Sequence, residues 1–567
     1  MDLEKKDFQD SGSITDPNPA YVNPEYEEPS KEESLHRGLK ARQISMIALG
    51  GAVGTGLIIG SGTALQRGGP LGLLLGYAFV GFVCYLVMVA LGEMAAYLPH
   101  KKGFAGYATR FVDPAFGFAL GWNYLMKYAI NRHSKQCSLT LLASSSSIVS
   151  ISMNHKYPKT CELIAVSRES KCAYRCLDGH IHRVHLCRES SRCPSIWRAG
   201  ILVFQYQRYP LQSFRLGGNP QHDRIGFRYW QHPDGPMGHY LKSQVHGESL
   251  SIFLGFWATL TNALFAFIGT ELIGVTVGEA ENPRRNIPRA IRQTFYRILV
   301  FYIGGVFVIG LIVPSTNENL FVATKSKTGA AASPFVVATQ LVGIRVLNHI
   351  INAAILLFVM SAANSDLYIG SRTLYGLAIE GKAPKIFRRV NRLGVPYASL
   401  ILCTLFCGLV FLNVSSSSAK VFTYFVNLVS AFGAITWMCI AYSHLAFMKA
   451  LKAQGISRDS LPFKAPFQPW GSWFALIATG IITLFKGFDT FLPFKTDTFV
   501  TSYIAIPIFI VLWVGYKLWY RTKVIPSESI DLVTGLREIE EDEEKYKLEM
   551  KAMGPKGKWG RLIDKFI

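Results

Sequence analysis

Four charged side chains stand where charge is expensive. Glu93, Lys127, Glu271 and Asp366 each lie inside a strongly apolar stretch. An ionisable group in hydrocarbon is costly and marks a functional position by default. Glu271 closes the run Phe265-Ala266-Phe267-Ile268-Gly269-Thr270-Glu271, which joins a carboxylate to a glycine within apolar sequence. A second run, Gly50-Gly51-Ala52-Val53-Gly54-Thr55-Gly56, places four glycines in seven positions. Glycine costs about 1 kcal/mol per helix position relative to alanine, so an unbroken helix is not expected there. A helix broken at mid-membrane offers free amide N–H groups and a positive half-helix end, which together hold an anion. The plainer reading of such glycines is close helix packing through small residues. Irregular backbone survives in a bilayer only where it is buried in protein or lines a cavity. Two interrupted apolar segments in separate parts of one chain point to a binding site near the midplane.

The other charges are open to more than one reading. Glu93, in Gly92-Glu93-Met94, lies near one end of its block and either snorkels, caps or takes part in function. Asp366, in Ser361-Ala362-Ala363-Asn364-Ser365-Asp366, reads as lining a cavity or joining an interhelical hydrogen-bond network. Lys127, in Trp122-Asn123-Tyr124-Leu125-Met126-Lys127-Tyr128, either snorkels or faces a cavity as a cation awaiting an anion. No nucleophile–base pair and no phosphate loop accompanies these groups outside 131–215, so no enzyme is expected, and no cofactor or metal.

The elements that must carry these residues are membrane spans. The chain has 567 residues, 50% hydrophobic and 17% charged, with a mean hydropathy of +0.23. A soluble domain carries about 25% charged residues. The apolar residues gather in blocks of about 20, the length of a bilayer-crossing helix. That argues against a soluble enzyme, a disordered protein and a disulfide-rich secreted module. The blocks run over 44–65, 71–98, 115–130, 252–278, 298–313, 347–377, 397–414, 421–447, 473–487 and 503–519. The third is short for a crossing. The expected fold class is an all-α polytopic membrane protein. Residues 1–40 read as a disordered tail and 523–567 as a second polar tail. The start of the chain lacks the pattern of a cleavable signal peptide.

Lys and Arg in the short loops give the orientation. Lys40 and Arg42, then Lys101, Lys102 and Arg110, then Arg284, Arg285, Arg289 and Arg292, then Lys382, Lys385, Arg388 and Arg389 all fall on one side when the blocks thread alternately. Both termini are therefore expected in the cytoplasm.

The segment 131–215 does not resemble the rest. It holds 13 Lys/Arg against 4 Asp/Glu, so 9 of the net +21, and six of the ten cysteines: Cys137, Cys161, Cys172, Cys176, Cys187 and Cys193. It contains no 20-residue apolar run. Three readings stand: a zinc module around Cys172, Cys176, His180, His182 and His185; an extracellular disulfide loop; or translation from a displaced frame or retained intron. The spacing is not that of paired CxxC motifs. Rereading 140–148 one base out of frame permits an apolar stretch that would continue the third span. Without 131–215 the charge falls to about +12, from the same counts. Nucleic acid is then not needed as a partner.

The motifs at 50–56, Gly-Glu-Met-Ala-Ala at 92–96, Phe-Ala-Phe-Ile-Gly-Thr-Glu at 265–271, Gly-Glu-Ala-Glu-Asn-Pro-Arg-Arg at 278–285 and the run from Ser361 to Ala378 resemble the fungal amino-acid permeases. These are the yeast amino-acid transporter branch of the amino acid–polyamine–organocation superfamily, and within it the dicarboxylic permeases are most similar. The resemblance covers 41–130 and 216–522, the two permease parts of the chain. It implies a LeuT-like inverted repeat of twelve spans, about ten of them recognisable here, with the first and sixth broken. It implies import of amino acids across the plasma membrane with protons, favouring glutamate and aspartate; a neutral or broad permease, or a non-transporting sensor on the same fold, remains open. By the resemblance, the substrate α-carboxylate meets the amides of Gly54, Thr55 and Gly56. The ammonium meets carbonyls near Ala52, Phe265 and Ile268, with Gly269 and Thr270 forming the second break. By the same resemblance Glu271 supports that break. From their own settings, Glu93 and Asp366 are expected to serve coupling or support, and Lys127 to pair with the side-chain carboxylate of an acidic substrate. The family's fourth and fifth spans, and a coupling lysine on the fifth, have no counterpart in 131–215. The chain as written is therefore expected to be inactive in uptake.

Overall fold

The structure is a computed structural model that describes residues 56–99, 103–145, 248–277, 280, 282–317, 320, 333–342, 345–391, 394–406, 418–491 and 493–552. Among the described residues the regular structure is helical, apart from isolated bridge residues at Ala280 and at the Phe491–Phe494 pair. Within the described residues six helical stretches are long and apolar enough to cross a bilayer: Ser61–Tyr97, Glu248–Thr276, Pro283–Ile312, Ile350–Ile379, Thr423–Ala453 and Trp470–Thr490. A seventh crossing is available if Thr496–Tyr503 and Ala505–Tyr520, bent by 41°, act as one span. The all-α polytopic expectation therefore holds. The ten blocks are not all tested, because 44–55 and 407–417 lie outside the described residues, as do the readings placed on 146–247.

A short wide turn, Gly56–Gly60, leads into α1 (Ser61–Tyr97). Gly69 (φ 68°, ψ 177°) and Pro70 divide α1 where the first two blocks were separated. α2 (Gly103–Phe111) and α3 (Pro114–Ser145) follow. α3 does not stop at Ile130, where the third block ends. Arg132 and Lys135 end the apolar run, but 131–145 contains neither glycine nor proline to end the helix.

α4 (Glu248–Phe267) and α5 (Ile273–Thr276) are two halves of one interrupted span. α6 (Pro283–Arg297) passes through a wide turn, Ile298–Gly304, into α7 (Gly305–Ile312). Then come α8 (Pro334–Val342), α9 (Arg345–Ile379), α10 (Tyr397–Leu405), α11 (Ser418–Ala453), α12 (Trp470–Phe485), α13 (Thr496–Tyr503), α14 (Ala505–Tyr520) and α15 (Leu536–Ala552).

Lipid tails give helices no hydrophobic reason to associate, so close approach through small residues and buried polar contacts must hold them. α1 and its leading turn lie along α4 in this way. A Cβ on Gly56 would fall 2.6 Å from Ala266 Cα and 3.0 Å from Phe265 O. On Gly68 it would fall 2.1 Å from Thr259 Oγ1, and on Gly76 2.7 Å from Thr259 Cγ2. α3 packs against both α9 and α11, which places Lys127 inside the bundle.

The chain beyond α14 returns across one end of the bundle. The Ile525 amide donates to Val112 O at 3.0 Å, and Gln454 Nε2 donates to Ile530 O at 2.6 Å. Arg110 donates to Asp531 O at 2.7 Å and to Thr534 O at 2.9 Å, and pairs with the Asp531 carboxylate at 2.8 Å. Ile530, Leu532 and Ile539 are buried. Burial alone would raise the Asp531 carboxyl, but the Arg110 guanidinium and the Thr534 and Val533 amides outweigh it and hold it below its ordinary value. Its stabilising contribution is thus present above the ordinary carboxylate range and lost as pH falls through the lowered value. Arg284, at the start of α6, bonds Glu543 of the acidic α15 at 3.0 Å. Arg110 and Arg284, which loop charge assigns to one side, share this face with the C-terminal tail.

The backbone contact at Gly56 leaves no flexible side chain to give way, whereas a Cβ on Gly60 would meet nothing within 4 Å. Gly56→Ala should lower the amount of a fluorescently tagged chain at the cell surface several-fold, and Gly60→Ala should leave it unchanged. Quantitative microscopy of the two variants checks this.

Candidate functional site

α4 ends where Gly269 takes φ 111° and ψ −13°, a conformation open to glycine and strained for other residues. The chain resumes as a tight turn, Thr270–Leu272, before α5. Such a break exposes backbone groups that water cannot reach in a bilayer. Here they are met by side chains. Glu271 Oε2 accepts the Gly269 amide at 3.0 Å, Thr270 Oγ1 donates to Phe267 O at 3.0 Å, and Cys84 Sγ lies 3.0 Å from Thr270 Oγ1. Phe265 and Ile268 are buried beside the break, and Gly433 of α11 leaves room for Ile268, since a Cβ there would lie 2.5 Å from Ile268 Cδ1.

Lys127 neither snorkels nor points into open space. Its ammonium pairs with Glu271 Oε1, and both side chains are 0% exposed. The Tyr128 hydroxyl donates to the same oxygen at 3.3 Å, and the Trp437 indole N–H donates to Glu271 Oε2 at 3.1 Å. The cation expected to await an anion therefore already holds one from the chain itself. A buried carboxylate is tolerable only when paired and hydrogen-bonded, and donors from α3, α11 and the break itself supply that.

Glu93 belongs to a different set. It is fully buried and takes Arg458 Nε at 2.6 Å, Arg458 Nη2 at 2.8 Å, the Ala465 amide at 3.1 Å and His444 Nε2 at 3.2 Å. His444 Nδ1 meets Ser472 Oγ at 2.9 Å. This replaces the snorkelling option for Glu93 with a bidentate anchor that ties α1 to α11 and to the loop before α12. Asp366 takes the network option: its Oδ2 accepts Asn131 Nδ2 at 3.0 Å.

The structure thus brings Gly56, Phe265, Ile268, Gly269, Thr270, Glu271 and Lys127 to one place. Ala52, Gly54 and Thr55 lie outside the described residues. The charge pattern alone did not single out Tyr128, Trp437, Asn123 or Asn131. A signal for the last two was available: Asn123, Lys127 and Asn131 recur at four-residue intervals and so share one face of α3. Asn123 Nδ2 donates to Phe432 O at 2.9 Å and to Thr436 Oγ1 at 3.0 Å, so this face addresses α11, the break and α9 in turn. Trp437 carried no such signal, being one aromatic residue in an apolar helix.

A turn packed at Gly56 against the backbone of α4, and a buried ion pair at the break after α4, form the setting for the comparison with known proteins. The profile of the amino acid permeases matches residues 43–166 and 200–525. The chain belongs to the amino acid permease family. It is accordingly a multi-pass membrane transporter, similar to several fungal permeases. A dicarboxylic amino acid permease of Saccharomyces cerevisiae is 43% identical over 585 residues, covering 100% of this chain and 92% of its own length. A proline-specific permease of Emericella nidulans is 40% identical over 531 residues, covering 92% of each. A lysine-specific permease of S. cerevisiae is 38% identical, covering 92% of this chain and 82% of its own length. Among solved structures, a manganese transporter of Eremococcus coleocola aligns at 14% identity with a TM-score of 0.44, covering 84% of this chain and 92% of that one. The profile enters both ends of 131–215 and leaves 167–199 between its two matched parts. The permease likeness is therefore wider than the motifs alone delimited.

Glu93→Gln would leave Arg458 without its anion. Breaking a buried pair costs about 3 kcal/mol. The detergent-purified variant should unfold at a lower temperature than the parent in a thermal melt, with Ser472→Ala a milder change.

Proposed function

We propose that this permease imports acidic amino acids into the cell across the plasma membrane, together with protons, by alternating access, with both termini in the cytoplasm. The observation that carries the reading is the buried Lys127 ammonium beside the break, holding a carboxylate. A lysine that donates to Glu271 has the reach and chemistry to donate to the side-chain carboxylate of glutamate or aspartate. The similarity to a dicarboxylic amino acid permease supports the same reading. In it, the amides of Gly54, Thr55 and Gly56 receive the α-carboxylate and the carbonyls of Ala52, Phe265 and Ile268 receive the ammonium. A neutral-substrate permease is the second reading, favoured by the fact that Glu271 already neutralises Lys127.

Uptake of labelled glutamate by the chain expressed from its spliced transcript, in yeast lacking its own permeases, tests the function. Excess aspartate should compete strongly and leucine weakly, and a protonophore should abolish accumulation. Equal competition by leucine would favour the second reading. Lys127→Gln should raise the KM for glutamate about tenfold, roughly the effect of one charge-assisted hydrogen bond, and leave that for glutamine nearly unchanged.

The unmatched 167–199, which holds Cys172, Cys176, Cys187 and Cys193, supports reading this stretch as translated from a displaced frame or a retained intron. Sequencing the spliced transcript across codons 125–220 should reveal a different reading frame there. The chain as written should give no uptake where the chain from that transcript does. A transcript encoding Cys172 and Cys176 in place would defeat the idea.

A further inference from the structure

The two oxygens of Glu271 are held from different sides. Oε1 takes Lys127 and the Tyr128 hydroxyl, both from α3. Oε2 takes the Gly269 amide of the break and the Trp437 indole of α11. The sets are separable: one can let go while the other holds. Lys127 also has company of its own, with Nζ 4.7 Å from the ring centroids of both Tyr124 and Tyr128, which keeps a cation comfortable as it shifts between carboxylates.

Trp437 is suited to the opposite task. Its indole N–H is a donor only, so it cannot turn to serve as an acceptor for a substrate ammonium. The ring is among the largest fully buried side chains of the described residues, and packing fixes it. The residue before it, Thr436, accepts Asn123 Nδ2 one helical turn from Lys127, which sets α11 level with α3 at this height.

We propose that Trp437 is a positioning residue for acidic substrates: it retains Glu271 on the break through Oε2 while Lys127 leaves Oε1 for a substrate carboxylate. This rests on the reading of Lys127 as the side-chain partner. The reasoning is competitive. Lys127 is shared between Glu271 and the substrate, and the better Glu271 is held by other donors, the less it needs Lys127. Without the indole N–H, Glu271 draws Lys127 back and an acidic substrate loses its partner. Glutamine carries no side-chain charge to draw Lys127 away, so the pair stays closed and the indole is not called upon.

The test measures uptake of labelled L-glutamate and L-glutamine, with surface amount quantified, by the full chain expressed from its spliced transcript. Trp437→Phe should raise the KM for glutamate about tenfold, the loss expected for one hydrogen bond to a charged group, and leave the KM for glutamine nearly unchanged. In a Lys127→Gln background the same substitution should affect both substrates alike, because the two residues act through one carboxylate. Parallel loss for both substrates in the single variant, at normal surface amount, would overturn the proposal and reduce Trp437 to packing. If the Phe variant does not reach the surface, Trp437→His, which keeps a ring N–H, carries the comparison. A glutamate defect smaller than that of Lys127→Gln supports the proposal, and parallel loss overturns it. Should Lys127→Gln itself weaken both substrates equally, the reading of Lys127 fails and the proposal with it; selective Lys127→Gln with unselective Trp437→Phe removes the proposal alone.

Discussion

The Glu271 carboxylate is the constraint on which the centre of this permease depends. A span interrupted in hydrocarbon must find hydrogen-bond partners for its freed backbone, and a carboxylate at that depth must find positive charge. The chain meets both needs with one residue. Glu271 accepts the Gly269 amide beside it, and its own charge is met by Lys127, Tyr128 and Trp437. Those donors come from α3 and α11, so a local break dictates the height and rotation of two distant helices. In a low-dielectric setting, such a set is strong when complete and costly when any member is missing.

Small residues make the arrangement possible. Gly56 lets the turn before α1 rest on the backbone of Ala266, and Gly433 admits Ile268 against α11. A larger side chain at either place would separate the elements that the carboxylate requires to be adjacent. The polar face of α3 continues the logic outward, since Asn123 and Asn131 tie the same helix to α11 and α9 on either side of Lys127. Each of these bonds is modest, but a helix held at three successive turns cannot rotate without breaking all of them.

Much of this is legible in the amino-acid sequence. Apolar blocks marked the spans because bilayer thickness fixes their length. Gly269 and Glu271 marked the break because a helix former would not be replaced there by glycine, nor an apolar residue by a carboxylate, without a local reason. The sequence did not tell Lys127 from a snorkelling lysine, because its partner lies 144 residues further along the chain. Glu93 was ambiguous for a similar reason: Arg458 and Ala465 belong to a distant loop. Trp437 was invisible, since its indole N–H matters only once α11 is set beside the break. The apolar block that stops at Ile130 did not give the end of α3, because hydropathy records where apolar residues stop and a helix stops for other reasons.

The C-terminal strap has a mechanical consequence. A single covalent stretch touches the end of α2 and the residue after it through Arg110 and Val112, the turn after α11 through Gln454, and, by way of α15, the start of α6 through Arg284. These are the ends of helices from well-separated parts of the chain, one of them following the interrupted span. Any motion that spreads these ends apart stretches the strap, and any motion that brings them together slackens it. The tail is thus a tether in parallel with the helix contacts, and its tension varies with the separation of the helix ends it joins.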